Sequence, residues 1–268
     1  MAFRHAVSCL ILLASAALAH AQRLAVCADR AGMPPFGYSS AAPGSGAEVA
    51  TGVTVDLLKL IAADQQWTLK VDLLPWARCL LDAQGGRYSL VLNVVRGEAK
   101  AGRLLLSKPF YNLHGVYVYS GRNHPQGLVV ASRQELLNLK ICGMGGHRFE
   151  AFGLPTDSID RGTSRGFEQL VAKLHLGRCD VVIGTREEIA GTYLKDEQLS
   201  AQIANGSLRM LPLPNAPEPS LHFGVPESLP GAEALVTALN EGLDRLARQG
   251  AIARLIDQHL NELNLSRR

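Results

Sequence analysis

Runs of like charge are missing from this 268-residue sequence: 27 Lys and Arg stand against 24 Asp and Glu, and the formal net charge of +3 is spread along the whole chain. No basic stripe interleaved with aromatics occurs either, which excludes nucleic acid as a partner class. The apolar run from Ala6 to Ala19 falls well short of the roughly 20 residues that cross a bilayer, which argues against a transmembrane anchor. There is no CxxC pair and no Cys/His spacing suited to zinc or thiol redox chemistry, and the mature histidines show no paired ligand spacing. A nucleophile elbow, an HExxH helix, a Walker loop and clustered carboxylates are likewise absent, and with them the usual signs of catalysis. The sequence carries no internal repeat and no low-complexity tract.

What is present is 47% hydrophobic residues, 19% charged residues, 26 Gly and 13 Pro, a composition outside the disordered and collagen-like classes. At roughly 100 to 200 residues per domain, the length predicts one large or two moderate domains, each with a real core. Residues 1–21 read as an export signal, with Arg4 near the start, the apolar run, and small Ala19 and Ala21 flanking His20. Cleavage after Ala21 is expected to leave a soluble secreted or periplasmic chain beginning at Gln22. Cys9 lies too near the amino end to be a lipid-modified cysteine at the cleavage point. Four cysteines remain, Cys27, Cys79, Cys142 and Cys179, an even number that invites disulfides with three complete pairings open.

Short β-like runs alternate with helix-like stretches from Arg23 onward, the rhythm of an α/β protein. Strands are predicted at 23–28, 69–74, 89–95, 114–120, 139–143 and 180–184. Helical spacing joins Val53, Leu57, Leu60 and Ile61, and again Trp76, Cys79, Leu80 and Ala83 after Pro75, with Gly85 and Gly86 ending that helix. Phe167, Leu170, Val171 and Leu174 mark a third helix. The stretch 210–220 is too rich in proline for a central strand and reads as a connector. Two closing helices follow, one carrying Leu235, Leu239 and Leu246, the other Ile252, Leu255, Ile256 and Leu263, with Gly250 between them.

Several short motifs occur in order: Pro34-Pro35-Phe36 after the first strand, GVTVDL from Gly52, Leu74-Pro75-Trp76 with Arg78-Cys79-Leu80, and Ser107-Lys108-Pro109-Phe110-Tyr111. They are followed by the glycine turn at 139–146 and GRCDVVI from Gly177. With this order and spacing the chain resembles the type 2 periplasmic solute-binding proteins of bacterial family 3, which include the amino-acid receptors of ABC importers. The resemblance implies two α/β lobes joined by two crossing segments with a ligand cleft between them. Lobe 1 is expected from 22–112 plus 223–268, and lobe 2 from 113–222. A cleft of this kind buries a small polar ligand, and hinge closure lets both lobes bond to it.

The resemblance also points to site residues. Trp76, at a strand-to-helix junction, reads as an aromatic packed on the ligand or as a core tryptophan. Phe36 reads as the opposite wall or as a plug of the first core. Asp29, Arg30 and Met33 lie on a loop at the carboxyl end of the first strand, the end where open sheets bind ligands, and Asn93 offers an amide from the end of its strand. Amino-acid receptors of the family clamp the ligand carboxylate with an arginine seven residues before the motif serine, and here that position is Lys100, a point charge in place of a bidentate fork. Arg96 and Arg103 lie close by as alternative forks, with solvated surface charge the preferred reading of Arg103. The second lobe's Gly-Ser/Thr pair is replaced by Gly146 and His147, whose imidazole titrates near neutral pH. Where the family places the aspartate that meets the ligand ammonium, this chain has Thr185. Glu187 or Glu188 reads as a substitute for that aspartate or, one turn into a helix and as the preferred reading, as a residue that faces water.

The ligand class implied is therefore a small polar or anionic metabolite, amino acids and their derivatives included. It would be captured without a cofactor, by a monomer serving an ABC-transporter permease. Two other functions share the scaffold: a partner-binding accessory protein of a periplasmic dehydrogenase system, and a dehydratase-type enzyme in which Lys100 and His147 move protons.

Overall fold

The computed structural model describes residues 22–41, 47–145, 149–162, 164 and 166–265. Its first part runs through β1 (Arg23–Asp29), the antiparallel pair β2 (Tyr38–Ala41) and β3 (Glu48–Thr51), α1 (Val53–Asp64), β4 (Thr68–Leu74), α2 (Trp76–Gln84) and β5 (Leu90–Val95). The short elements α3 (Arg96–Gly102), β6 (Leu104–Leu106) and β7 (Tyr111–Asn112) complete it. The middle part is β8 (Gly115–Ser120), α4 (Arg133–Leu137), β9 (Ile141–Gly143), β10 (Ile159–Asp160), α5 (Phe167–His175), β11 (Val181–Thr185), α6 (Arg186–Lys195), α7 (Glu197–Ala204) and β12 (Leu208–Pro212). The chain closes with β13 (Ser220–Pro226), α8 (Ala232–Arg248) and α9 (Ala251–Leu265).

Two sheets result. The first has the order β4-β1-β5-β13-β6, with β7 also paired to β13; the second has the order β10-β9-β11-β8-β12. β1 and β4 run parallel in register from Arg23 opposite Thr68 to Asp29 opposite Leu74, and Val26 of β1 lies opposite Leu90 of β5. The carboxyl ends of these strands therefore share one sheet edge, and the segments after them (Asp29 to Met33, Pro75-Trp76 and Arg96) emerge together. In the second sheet β9 and β11 are parallel, and Gly145 and Thr185 sit at their carboxyl ends.

Both faces of each sheet are covered. Leu24, Val26, Leu90 and Leu92 pack with α1, α8 and α9, while Cys27, Cys79, Val91 and Val94 pack with α2 and α3 on the opposite face. Each fully buried Val or Leu stabilises the fold by about 1.5–3 kcal/mol relative to exposure. Cys27 is bonded to Cys79 and Cys142 to Cys179, with Cα atoms 5.7 Å and 5.8 Å apart. The first bond ties β1 to α2; the second ties β9 to the residues leading into β11.

Three sequence expectations need amending. β8 alternates in sequence, but all six of its residues are buried, because it lies between β11 and β12 under two separate apolar clusters. Leu60 falls at the rim of the α1 stripe and is 42% exposed. The stretch from Met210 is partly strand: Met210 to Pro212 belong to β12, an edge strand, where a proline's missing N–H is tolerated.

Candidate functional site

The loop after β1 is sewn to its surroundings by its own polar groups. The Asp29 carboxylate accepts from the Ala31 N–H at 3.1 Å, the Arg30 N–H donates to the Leu74 carbonyl at 2.7 Å, and the Arg30 guanidinium donates to the Leu73 carbonyl at 3.2 Å. Pro34-Pro35 is a cis peptide. Beyond it, the Pro35 and Phe36 carbonyls accept from the first N–H groups of α1, Val53 and Thr54, each at 2.9 Å. Gly52 makes this possible: its φ is 118°, and a Cβ there would overlap the Phe36 carbonyl. The helix start is thus capped by the loop itself.

Phe36 is fully buried, its ring centroid 4.6 Å from that of Tyr111. It plugs the first core and does not form a wall of the cleft, because the loop turns its ring inward under α1. Asn93 has partners of its own. At φ 58°, its side-chain carbonyl accepts from the Thr54 hydroxyl at 2.6 Å and its amide nitrogen lies against Gly37, so the group stitches β5 to α1 and the loop. Trp76 opens α2 behind Pro75 and is half-buried against the Cys27–Cys79 cluster, so part of the indole stays open to solvent at the shared sheet edge.

Arg96 and Lys100 are both exposed on α3, four residues apart and hence on one face of the helix. Arg103 ends α3 in the left-handed region and faces Glu227 at 3.9 Å, an exposed ion pair. Below α3, Ser107 fastens β6 to β13: its hydroxyl accepts from the Phe223 N–H at 3.0 Å and donates to the Lys108 carbonyl at 2.8 Å. Its carbonyl lies 2.7 Å from Nδ1 of His222, a residue only 1% exposed. Burial holds the His222 imidazole below its ordinary value; the Ser107 carbonyl opposes that shift and the Arg96 charge adds to it. Nε2 of the same ring is buried without a hydrogen-bond partner among the described residues.

On the second lobe, Thr185 is buried and caps α6, its hydroxyl oxygen accepting from the Glu188 N–H at 3.1 Å. Glu187 does not face water. It is 6% exposed and accepts from the His114 N–H at 3.1 Å, from His114 Nδ1 at 2.6 Å, from the Tyr111 hydroxyl at 3.2 Å and from the Arg186 guanidinium at 3.1 Å. Desolvation, reinforced by the Glu187 charge, pushes the Tyr111 phenol up. This cluster joins β7 of the first sheet to α6 of the second lobe through the crossing segment at His114. Close by, Gly191 of α6 lies against Pro34, where a Cβ would overlap the proline, and α6 also packs on α9. Gly146 and His147 lie outside the described residues. Gly145 precedes them, its N–H on the Ser164 carbonyl at 3.0 Å.

Sequence reasoning missed Glu187, Tyr111 and His114 as a cluster, and it passed over His222. The one available signal was the strand period: Leu221, Phe223 and Val225 alternate toward one face, which sends His222 to the other, and that face is covered too.

Residues 24–262 match the family model described as bacterial extracellular solute-binding proteins, family 3. The chain belongs to that family. Its fold is the type II periplasmic binding protein fold, two α/β lobes joined by two crossing segments with a cleft between them. Among solved structures it is similar to an amino acid ABC transporter substrate-binding protein of Streptococcus pneumoniae bound to L-arginine. That match has 17% identity and a TM-score of 0.68, and covers 90% of this chain and 95% of that one. It is also similar to an ancestral arginine-binding protein bound to arginine (17% identity, TM-score 0.63, 88% and 97% covered). A histidine kinase sensor domain with similarity to periplasmic binding proteins matches as well (16% identity, TM-score 0.64, 90% and 96% covered). No curated protein matches this chain.

Proposed function

We propose that this solute-binding protein is an exported, monomeric periplasmic receptor that captures a small anionic or polar metabolite, amino-acid derivatives included, and hands it to the permease of an ABC importer. It acts by binding and not by turnover. The observation that supports the reading is the distribution of charge at the carboxyl ends of the strands. Arg96 and Lys100 are exposed on one face of α3, while at the end of β11 the side chains are a capping hydroxyl, Thr185, and a carboxylate, Glu187, already bonded to His114, Tyr111 and Arg186. A ligand ammonium finds no free partner in that pair, whereas a ligand anion finds two cations. Trp76 supplies an apolar surface beside them, the usual mix of a small-molecule site.

A thermal-shift panel tests this, covering amino acids, polyamines, organic acids and small phosphorylated metabolites. Binding to the folded state adds about 2.7 kcal/mol of stability at a hundred times Kd. The expected result is a hit among anionic compounds that is lost in Trp76→Ala. Silence from every compound with a well-folded protein overturns the receptor reading and favours the partner-binding one; conversion of a compound to product overturns the non-enzymatic reading.

A further inference from the structure

The ring of His222 is held in one orientation with one nitrogen idle. Leu221, Phe223 and Val225 of β13 fill the core beneath α1 and α8, so His222 and Gly224 face the side covered by α2 and α3. Nδ1 lies 2.7 Å from the Ser107 carbonyl, and a carbonyl only accepts, so Nδ1 carries the proton. In the neutral ring Nε2 then bears a lone pair, and it is buried without a partner among the described residues. An unpaired buried acceptor costs about 1–3 kcal/mol, which any donor brought to it recovers. The two ring nitrogens point in different directions, so with Nδ1 on the β6 side Nε2 faces away from Ser107. His222 pairs with Val94 of β5, two residues before Arg96, and it feels the Arg96 charge.

From this geometry we infer that His222 is a positioning residue for ligand capture: the Arg96 guanidinium turns onto Nε2, donates one N–H to it, and presents its remaining donors to a ligand carboxylate. The inference rests on the receptor reading and assigns its anion-binding group. Arg96 suits the task because a guanidinium has five donors in a fixed fork, so one N–H is anchored while a bidentate pair remains for the ligand. Anchoring also removes side-chain freedom before the ligand arrives, which lowers the entropy lost on binding. Lys100, one turn further along the same face, adds attraction without that geometry.

The test pairs calorimetry with histidine NMR. For the tightest organic acid found in the thermal-shift panel, His222→Leu is expected to weaken binding roughly tenfold to a hundredfold, the range for a hydrogen bond to a charged group. His222→Gln, which keeps an acceptor, is expected to recover part of that loss. His222→Leu combined with Arg96→Ala should cost little more than Arg96→Ala alone, as it must if the histidine acts through the arginine. Wild-type affinity in His222→Leu, additive losses in the double variant, or an Arg96→Ala variant that binds normally each overturn the inference while leaving the receptor reading intact. If no compound of the panel binds, the receptor reading fails, and the 15N spectrum of the ligand-free protein decides the rest. Arg96→Gln must then move the His222 Nε2 resonance, and an unmoved resonance, as expected for a nitrogen satisfied by buried water, overturns the docking.

Discussion

At the scale of single residues, the most consequential side chain is Glu187. It takes bonds from the backbone and ring of His114, from Tyr111 and from Arg186 while being almost wholly buried. Glu187→Gln keeps the shape but removes the charge, so charge-assisted bonds become ordinary ones and the half-exposed Arg186 loses its counter-ion. A loss of about 1–3 kcal/mol is expected, readable as a lower urea midpoint with an unchanged slope. Polar residues inside α9 and β2 give a pH prediction. His259, only 1% exposed, lies 2.8 Å from the Asp56 carboxylate and 3.2 Å from the Tyr38 hydroxyl. The His259 hydrogen bond, working against desolvation and helped by Lys59, holds Asp56 below its ordinary 3.8. Its folded value is depressed, so it contributes stability that is present above pH 3.8 and disappears as the pH falls through that lower value. Burial, with the Glu262 and Asp56 charges, pushes Tyr38 up to about 12 from an ordinary 10.0. That contribution is present below pH 10 and fades as the pH rises toward 12. Unfolding curves of Asp56→Asn should flatten only on the acid side, and those of Tyr38→Phe only on the alkaline side.

At the scale of elements, α6 is pressed on the first lobe at Gly191, against Pro34 and beside α9. Gly191→Leu forces the helix away from the loop, an overpacking expected to cost about 1–3 kcal/mol. Small-angle scattering should show a larger radius of gyration; an unchanged radius with unchanged stability would mean that the contact is slack. Elements were also where the sequence was most readable. Periods of two and of 3.6 located β1, β4 and β5 of the first sheet, β8, β9 and β11 of the second, and the stripes of α1, α2, α5 and α8, because those patterns reflect burial against a neighbouring layer; the short β6, β7 and β10 and the late strands β12 and β13 were not predicted. Glu187 stayed hidden for the opposite reason: in the first turn of a helix an acidic residue reads as solvated, and only the crossing segment at His114, distant in sequence, covers it. His259 carries a faint signal, as it falls three and four residues after Ile256 and Leu255 on the stripe of α9, yet its partners Asp56 and Tyr38 lie some two hundred residues away. Phe36 was legible as chemistry but not as direction, since a loop fixed by carbonyl caps turned its ring inward.

At the scale of the whole molecule, contacts at Glu187, Gly191 and α9 hold the lobes together beside the crossing segments, so hinge opening is expected at the edge carrying Trp76, Arg96 and Gly145. Neither disulfide spans the two sheets. Closing loops of 52 and 37 residues contributes about 4 kcal/mol each in the chain-entropy picture. The double substitution Cys142→Ser with Cys179→Ser is expected to weaken amide-exchange protection in β9 and β11 while α8 keeps its own; uniform loss across both sheets would show that the lobes unfold as one unit. The strands of the second sheet come from one uninterrupted run, residues 115–212, set inside a first sheet whose β13 arrives only at residue 220. As the chain emerges from its amino end, Cys27 meets Cys79 before Cys142 appears, and Cys142 then meets Cys179. Once residues 1–21 are removed, an oxidant that joins cysteines in their order of appearance is expected to produce this set directly, because both cysteines of the first pair precede the inserted run and both of the second lie within it.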